Sequence, residues 1–122
     1  MRKPILITMA ASLGVLVACA TAQDKSATPA SESAIEQGKK LAFDRKKGNC
    51  LACHQIAGGT LPGDIGPPLV AMKARYPDKA KLREQIWDAR KKNPHTIMPP
   101  FGAHRILTEK EIDLVTDFIY TL

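Results

Sequence analysis

Five consecutive residues carry the clearest chemistry in this 122-residue chain: Cys50, Leu51, Ala52, Cys53 and His54. Cys-x-x-Cys-His is the attachment signature of c-type haem, in which two thiols add across the vinyl groups and the adjacent imidazole coordinates the iron. The spacing has a geometric cause. One helical turn from Cys50 to Cys53 presents both sulfurs to one porphyrin edge, and the next residue projects its ring toward the metal. With three cysteines and three histidines in the chain, the pentapeptide arises by chance roughly twice in a thousand sequences of this composition, so the pattern is a strong signal.

Three other readings of the same residues are weaker. A zinc site would need a suitable histidine pair, but His95 and His104 are separated by eight residues, not the usual three to five. A thioredoxin-like dithiol belongs beside a βαβ pattern, which the sequence lacks. A Cys50–Cys53 disulfide would close too small a loop to stabilise much.

A sixth iron ligand should be a soft sulfur or an imidazole from the distal side. Met72, Met98, His95 and His104 are the donors on offer. Met98 is the assignment, because it lies in Thr96-Ile97-Met98-Pro99-Pro100-Phe101-Gly102, where prolines stiffen the chain, and Met/His ligation characterises electron-transferring cytochromes c. Met72 is its rival, though a methionine packed in the core is the simpler reading. His95 and His104 read as loop residues.

The elements that must position these groups read as helices and loops, and all-α is the expected class. A first helix from about Ser33 to Lys46, capped by Ser31 or Ser33, places Ile35, Gly38, Leu41 and Ala42 on one face. Gly38 within that face implies close approach of another helix. A middle helix from about Asp78 to Lys92 turns Leu82, Ile86 and Ala89 inward. The last begins at Thr108, where Glu111 completes a capping box. Residues 58–69 and 93–104, rich in Gly and Pro, are ordered loops.

Upstream, Arg2 and Lys3 precede an apolar run from Pro4 to Ala18 and the small residues Ala20, Thr21 and Ala22, the pattern of an export signal. At about 15 residues the run is shorter than the roughly 20 that span a bilayer as a helix. Two processing schemes are open. Cleavage after Ala22 makes residues 1–22 a signal peptide; alternatively Leu16-Val17-Ala18-Cys19 resembles a lipobox, with residues 1–18 removed and Cys19 lipidated as a membrane anchor. Residues 23–33 then form a flexible tether and residues 34–122 the folded domain. Either scheme places the domain in the periplasm, and removes two of the cations behind the formal charge of +6.

Composition fits a single small domain. Aromatic residues are only 5% of the chain, too little bulky material for a self-sufficient core of this size, so a large prosthetic group should fill the interior. Nucleic-acid binding is excluded as a leading class, since the excess charge is modest and no stacking set accompanies it. Lys39, Lys40, Arg45, Lys46, Lys47, Lys73 and Arg75 read as a solvated surface that can also steer an acidic partner.

With these motifs in place, the chain resembles class I cytochromes c, about three main helices wrapped around one covalently bound haem. Within that class it resembles the SoxX family, small subunits of SoxAX sulfur-oxidation cytochromes. The likeness runs over nearly all of residues 33–122. It rests on Ala42-Phe43-Asp44-Arg45-Lys46-Lys47-Gly48-Asn49 before the haem motif, on Leu61-Pro62-Gly63-Asp64-Ile65-Gly66-Pro67-Pro68-Leu69, and on Asn93-Pro94-His95-Thr96-Ile97-Met98-Pro99-Pro100-Phe101-Gly102.

The resemblance implies that the Pro67 carbonyl accepts a hydrogen bond from His54, fixing its tautomer. It also implies one haem c, held by Cys50 and Cys53 and ligated by His54 and Met98, and a heterodimer with a SoxA-type cytochrome that bears the active-site haem. The assembly would act as an L-cysteine S-thiosulfotransferase, coupling thiosulfate oxidatively to a cysteine of the carrier SoxYZ. The present chain would contribute no catalytic residue, and would pass electrons to a soluble cytochrome c. A free-standing periplasmic electron shuttle for an oxidase or reductase is the alternative, and a haem-based sensor with an open sixth site is a third reading.

Overall fold

Two helices far apart in the chain meet because each carries a stripe the other can cover. A computed structural model describes residues 29–122, with side chains from residue 34 onward. The expected signal segment, Cys19, the cleavage site after Ala22 and residues 23–28 of the expected tether lie outside the described residues. The described part is all-α: helices α1 (Pro29–Phe43), α2 (Met72–Arg75), α3 (Lys79–Trp87) and α4 (Glu109–Tyr120), with single 3₁₀ turns at Cys50–Ala52 and Ala89–Lys91. None of these helices is long and apolar enough to cross a membrane.

α1 packs across α4, and Gly38 is the reason it can. A Cβ at Gly38 would collide with the Leu114 carbonyl and press on Phe118, so only glycine lets the two backbones approach. Phe43 meets Phe118 edge to face, with ring centroids 5.9 Å apart, closing the same crossing. On α4, Ile112, Val115, Phe118 and Ile119 are buried, each worth about 1.5–3 kcal/mol of transfer free energy. The start of α4 is built as its sequence implies: the Thr108 hydroxyl accepts from the Glu111 N–H at 3.2 Å, and the Glu111 carboxylate accepts from the Thr108 N–H at 2.8 Å.

Three boundaries differ from expectation, each for a local reason. α1 begins at Pro29, upstream of both serines expected to cap it, because proline is tolerated in a first turn and no breaker intervenes before Gly38. It ends at Phe43, short of Lys46, because Asp44 draws the chain into a turn: its carboxylate accepts from the Lys46 N–H and its carbonyl from the N–H groups of Lys47 and Asn49. The middle helix stops at Trp87, where Asp88 turns extended and caps the following 3₁₀ turn instead. Leu82, Ile86 and Ala89 are buried all the same.

Short α2 is the element the sequence did not announce. It starts after Ala71, which has the left-handed φ of 50°, and is pinned by the Met72 N–H donating to the carbonyl of Leu122 at 2.8 Å. That anchor brings Met72 into the core beside α4.

Candidate haem site

The pentapeptide forms a tight turn whose exposed carbonyls a second loop covers. Asn49, in the left-handed conformation with φ 46°, directs the chain into the 3₁₀ turn at Cys50, and the N–H groups of Cys53 and His54 both donate to the Cys50 carbonyl. The Gly- and Pro-rich loop then runs alongside. Gly63, Gly66 and Leu69 donate their N–H groups to the carbonyls of Leu51, Cys53 and Gln55 at 2.8, 2.7 and 2.9 Å. This ladder without a sheet satisfies the motif's backbone and fixes both cysteines and His54 against the loop.

His54 is oriented by the same loop. Its Nδ1 lies 2.7 Å from the Pro67 carbonyl oxygen, which can only accept, so Nδ1 carries a proton and in the neutral ring the lone pair is on Nε2. Gly66 makes the approach feasible, since any Cβ there would strike the imidazole ring. One layer out, Arg75 at the end of α2 donates from Nη1 to the Pro68 carbonyl at 2.8 Å and to the Met72 sulfur at 3.5 Å. Arg75 thereby ties the proline pair to the buried methionine.

Next to these groups lies a cavity of about 560 Å³, within the 300–1,000 Å³ typical of ligand sites. Cys50, Cys53 and His54 line it, as do Met98, Phe101 and Leu107 from the chain ahead of α4. Arg45, Lys46, Lys47 and Arg75 also line it, and among the described residues no carboxylate does. Lys47 is held by Glu111 at 2.8 Å. Burial pushes the Cys50 thiol up to about 11, so it faces the cavity as neutral S–H at ordinary pH. A shallower depression of about 490 Å³ shares Arg75, Tyr76 and Gln85 with the cavity; within it Lys81 pairs with Glu84 and Asp78 caps α3.

Both methionines reach the cavity, in different settings. Met98 is half-buried on the distal loop, its N–H donating to the Thr96 hydroxyl at 3.2 Å. Met72 is 2% exposed and belongs to the core, and its sulfur shares the Arg75 donor with the Pro68 carbonyl. His95 and His104 are exposed and do not line the cavity. His104 Nε2 instead lies 3.3 Å from the Arg90 guanidinium. Sequence reasoning placed Arg75 among the solvated surface cations, whereas it lines the cavity and binds the Pro68 carbonyl, and it quoted Gly66 in the loop without giving it this role. Gly66 could have been found from its place before Pro67-Pro68, whereas nothing in the local sequence marks Arg75.

Comparison with known proteins agrees with this geometry. The cytochrome c family profile matches residues 35–122. A chain in the crystal structure of SoxXA from P. pantotrophus is similar at 29% identity and a TM-score of 0.64, over 70% of this chain and 79% of that one. None of the curated proteins compared with this chain matches it. The chain belongs to the cytochrome c family, with an all-α class I cytochrome c-like fold related to SoxXA-type sulfur-oxidation cytochromes.

Proposed function

From membership of the cytochrome c family we infer that residues 34–122 hold one haem c, attached through Cys50 and Cys53 and ligated by His54 and Met98, and act in electron transfer in the periplasm. The residues present fit such a group. His54 offers Nε2 with its tautomer fixed by Pro67, the two thiols are free and line the same cavity, and Arg45, Lys46 and Arg75, besides the Glu111-paired Lys47, line it to balance a porphyrin's carboxylates. When bound, haem supplies a one-electron iron couple. Pro67 raises the basicity of His54; Met98 and the apolar lining favour the less charged, reduced state and so raise the potential. Met72, its sulfur engaged by Arg75, packs the core.

The finer reading is a SoxX-type subunit. Bound to a SoxA-type cytochrome as a heterodimer, the chain takes electrons released as thiosulfate is joined to a SoxYZ cysteine, and passes them to a soluble cytochrome c. Joining a thiol to thiosulfate releases one proton and two electrons, so the chain must relay twice per coupling. The likeness to a SoxXA chain supports this reading, as does the cysteine inventory: with Cys50 and Cys53 committed to haem, only Cys19 is left. No residue of this chain is then available as the active-site thiol, and the chain's part in an L-cysteine S-thiosulfotransferase is electron transfer alone. Cys19 either leaves with the signal or anchors the domain to a membrane.

The observation that carries the proposal is the His54–Pro67 contact at 2.7 Å inside a cavity lined by both cysteines and Met98. Copurification with a SoxA-type cytochrome, and thiosulfate-driven haem reduction that requires both that partner and SoxYZ, are expected. An isolated chain that exchanges electrons rapidly with an oxidase and never binds a larger cytochrome would instead establish the free-standing shuttle.

A further inference from the structure

Besides the burial of Phe101 and Leu107 in the core, the distal loop that carries Met98 meets Trp87, at the end of α3, through both its carbonyl and its ring. The Trp87 carbonyl accepts from the N–H groups of Gly102 and Ala103 at 3.1 and 3.3 Å. Its indole lies so close to Gly102 that a Cβ there would overlap ring carbons Cδ2 and Cε3. Gly102 is buried, and its φ is not in the left-handed region, so glycine stands there for space and not for backbone freedom.

Trp87 is itself fixed from behind. The Arg83 guanidinium sits 5.4 Å from its ring centroid, and Arg83 is ion-paired with Asp113 and Glu109 on α4. Within the loop, the Phe101 N–H donates to the Pro99 carbonyl and the Leu107 N–H to the Phe101 carbonyl, both at 3.0 Å. A continuous chain of contacts therefore runs from α4 through Arg83 and Trp87 to Gly102, four residues after Met98.

We propose that Trp87 and Gly102 form a lock that seats the distal loop, so that delivery of the Met98 sulfur to the iron depends on α3 as well as on the loop's prolines. Trp87 is a positioning residue: it does not line the cavity and acts through the loop it holds. The inference rests on the reading of Met98 as the distal ligand, and predicts that the lock can be broken while the haem stays attached and the helices stay folded.

The test uses the exported, haem-loaded protein and its Gly102→Ala, Trp87→Leu and Met98→Ala variants. In Gly102→Ala the added methyl forces ring and loop apart; in Trp87→Leu the ring that backs the loop is lost. Both variants should weaken the sulfur-to-iron charge-transfer absorption and speed cyanide binding to the ferric protein by about tenfold or more, with haem mass and helical circular dichroism retained. Combining the two changes should cost less than their sum, because leucine leaves room for the methyl.

A purely structural role would lower thermal stability yet leave the sulfur absorption and cyanide rate untouched, and that result overturns the lock. Should Gly102→Ala fail to fold, Trp87→Leu alone decides by the same readouts. If Met98→Ala leaves the sulfur absorption unchanged, the ligand assignment fails, and the lock with it. If Met98→Ala abolishes that absorption but the two lock variants keep it, only the lock fails.

Discussion

The two sides of the cavity are built on different principles. On the His54 side, two thiols and the imidazole lie within five consecutive residues, backed by a loop that donates N–H groups to the carbonyls of Leu51, Cys53 and the following Gln55. On the Met98 side, a single side chain comes from a proline-stiffened loop that depends on Trp87 for its seat. The first half is local and redundant; the second is long-range, its ligand a single side chain. In a redox protein the half that anchors the cofactor should be hard to disturb, while the half that contributes a single weak ligand can tune the potential or open without losing the cofactor.

The largest effect expected from that contrast is at the cysteines. Cys50→Ser with Cys53→Ser should abolish covalent attachment, and the domain, short of bulky core, should lose most of its helical circular dichroism as well. A haem-free double variant with native helicity would show that the fold does not depend on the group. Met98→Ala is the distal counterpart: attached haem and helicity persist, while the reduction potential falls and external ligands gain access to the iron. Potentiometry and carbon monoxide binding check it, and unchanged ligation would shift the assignment to Met72 or a histidine.

Smaller effects sharpen the contrast inside the His54 half. Arg75→Gln frees the Pro68 carbonyl and should speed solvent exchange of the His54 Nδ1 proton, measured by nuclear magnetic resonance, without releasing haem. Equal exchange in variant and parent would show that the loop holds His54 without Arg75.

The smallest effect concerns Glu111, which ties α4 to the chain just before the haem motif. Hydrogen bonding from the Lys47 ammonium first, and from the Thr108 N–H second, holds the Glu111 carboxyl below its ordinary 4.5. A carboxylate lowered in the folded state contributes stability that is complete above pH 4.5 and disappears as pH falls through its lowered value. Glu111→Gln should therefore flatten the acid side of the stability curve in thermal melts. The pair is partly exposed, 43% and 19% at its two side chains, so the effect is modest and shrinks with salt.

The same contrast explains how much could be read from sequence. The pentapeptide, the Thr108–Glu111 cap and the apolar stripe of α4 are local patterns, and the structure reproduces the cap and the stripe. Gly38 was legible as a close approach because a glycine on an apolar helical face has few other uses, and α4 is what approaches. Asp44 and Asp88 ended helices earlier than periodicity implied, since a periodic pattern does not reveal when an aspartate will bond its own backbone. Arg75 and the Trp87–Gly102 pair were not legible: each acts on residues distant in sequence or on backbone carbonyls, and neither leaves a spacing rule. The expectation that Met72 packs in the core held, but the reason lies in its pairing with Arg75 and the Leu122 carbonyl.

The central claim is that Cys50 and Cys53 bind haem covalently within this cavity. The intact mass of the exported protein after denaturation, read together with its pyridine haemochrome spectrum, tests it most directly. The account predicts a polypeptide heavier by one haem that survives acid–acetone extraction, with the spectrum of a porphyrin whose two vinyl groups are both saturated. A chain of bare polypeptide mass, or one whose haem extracts into acid acetone, would contradict it.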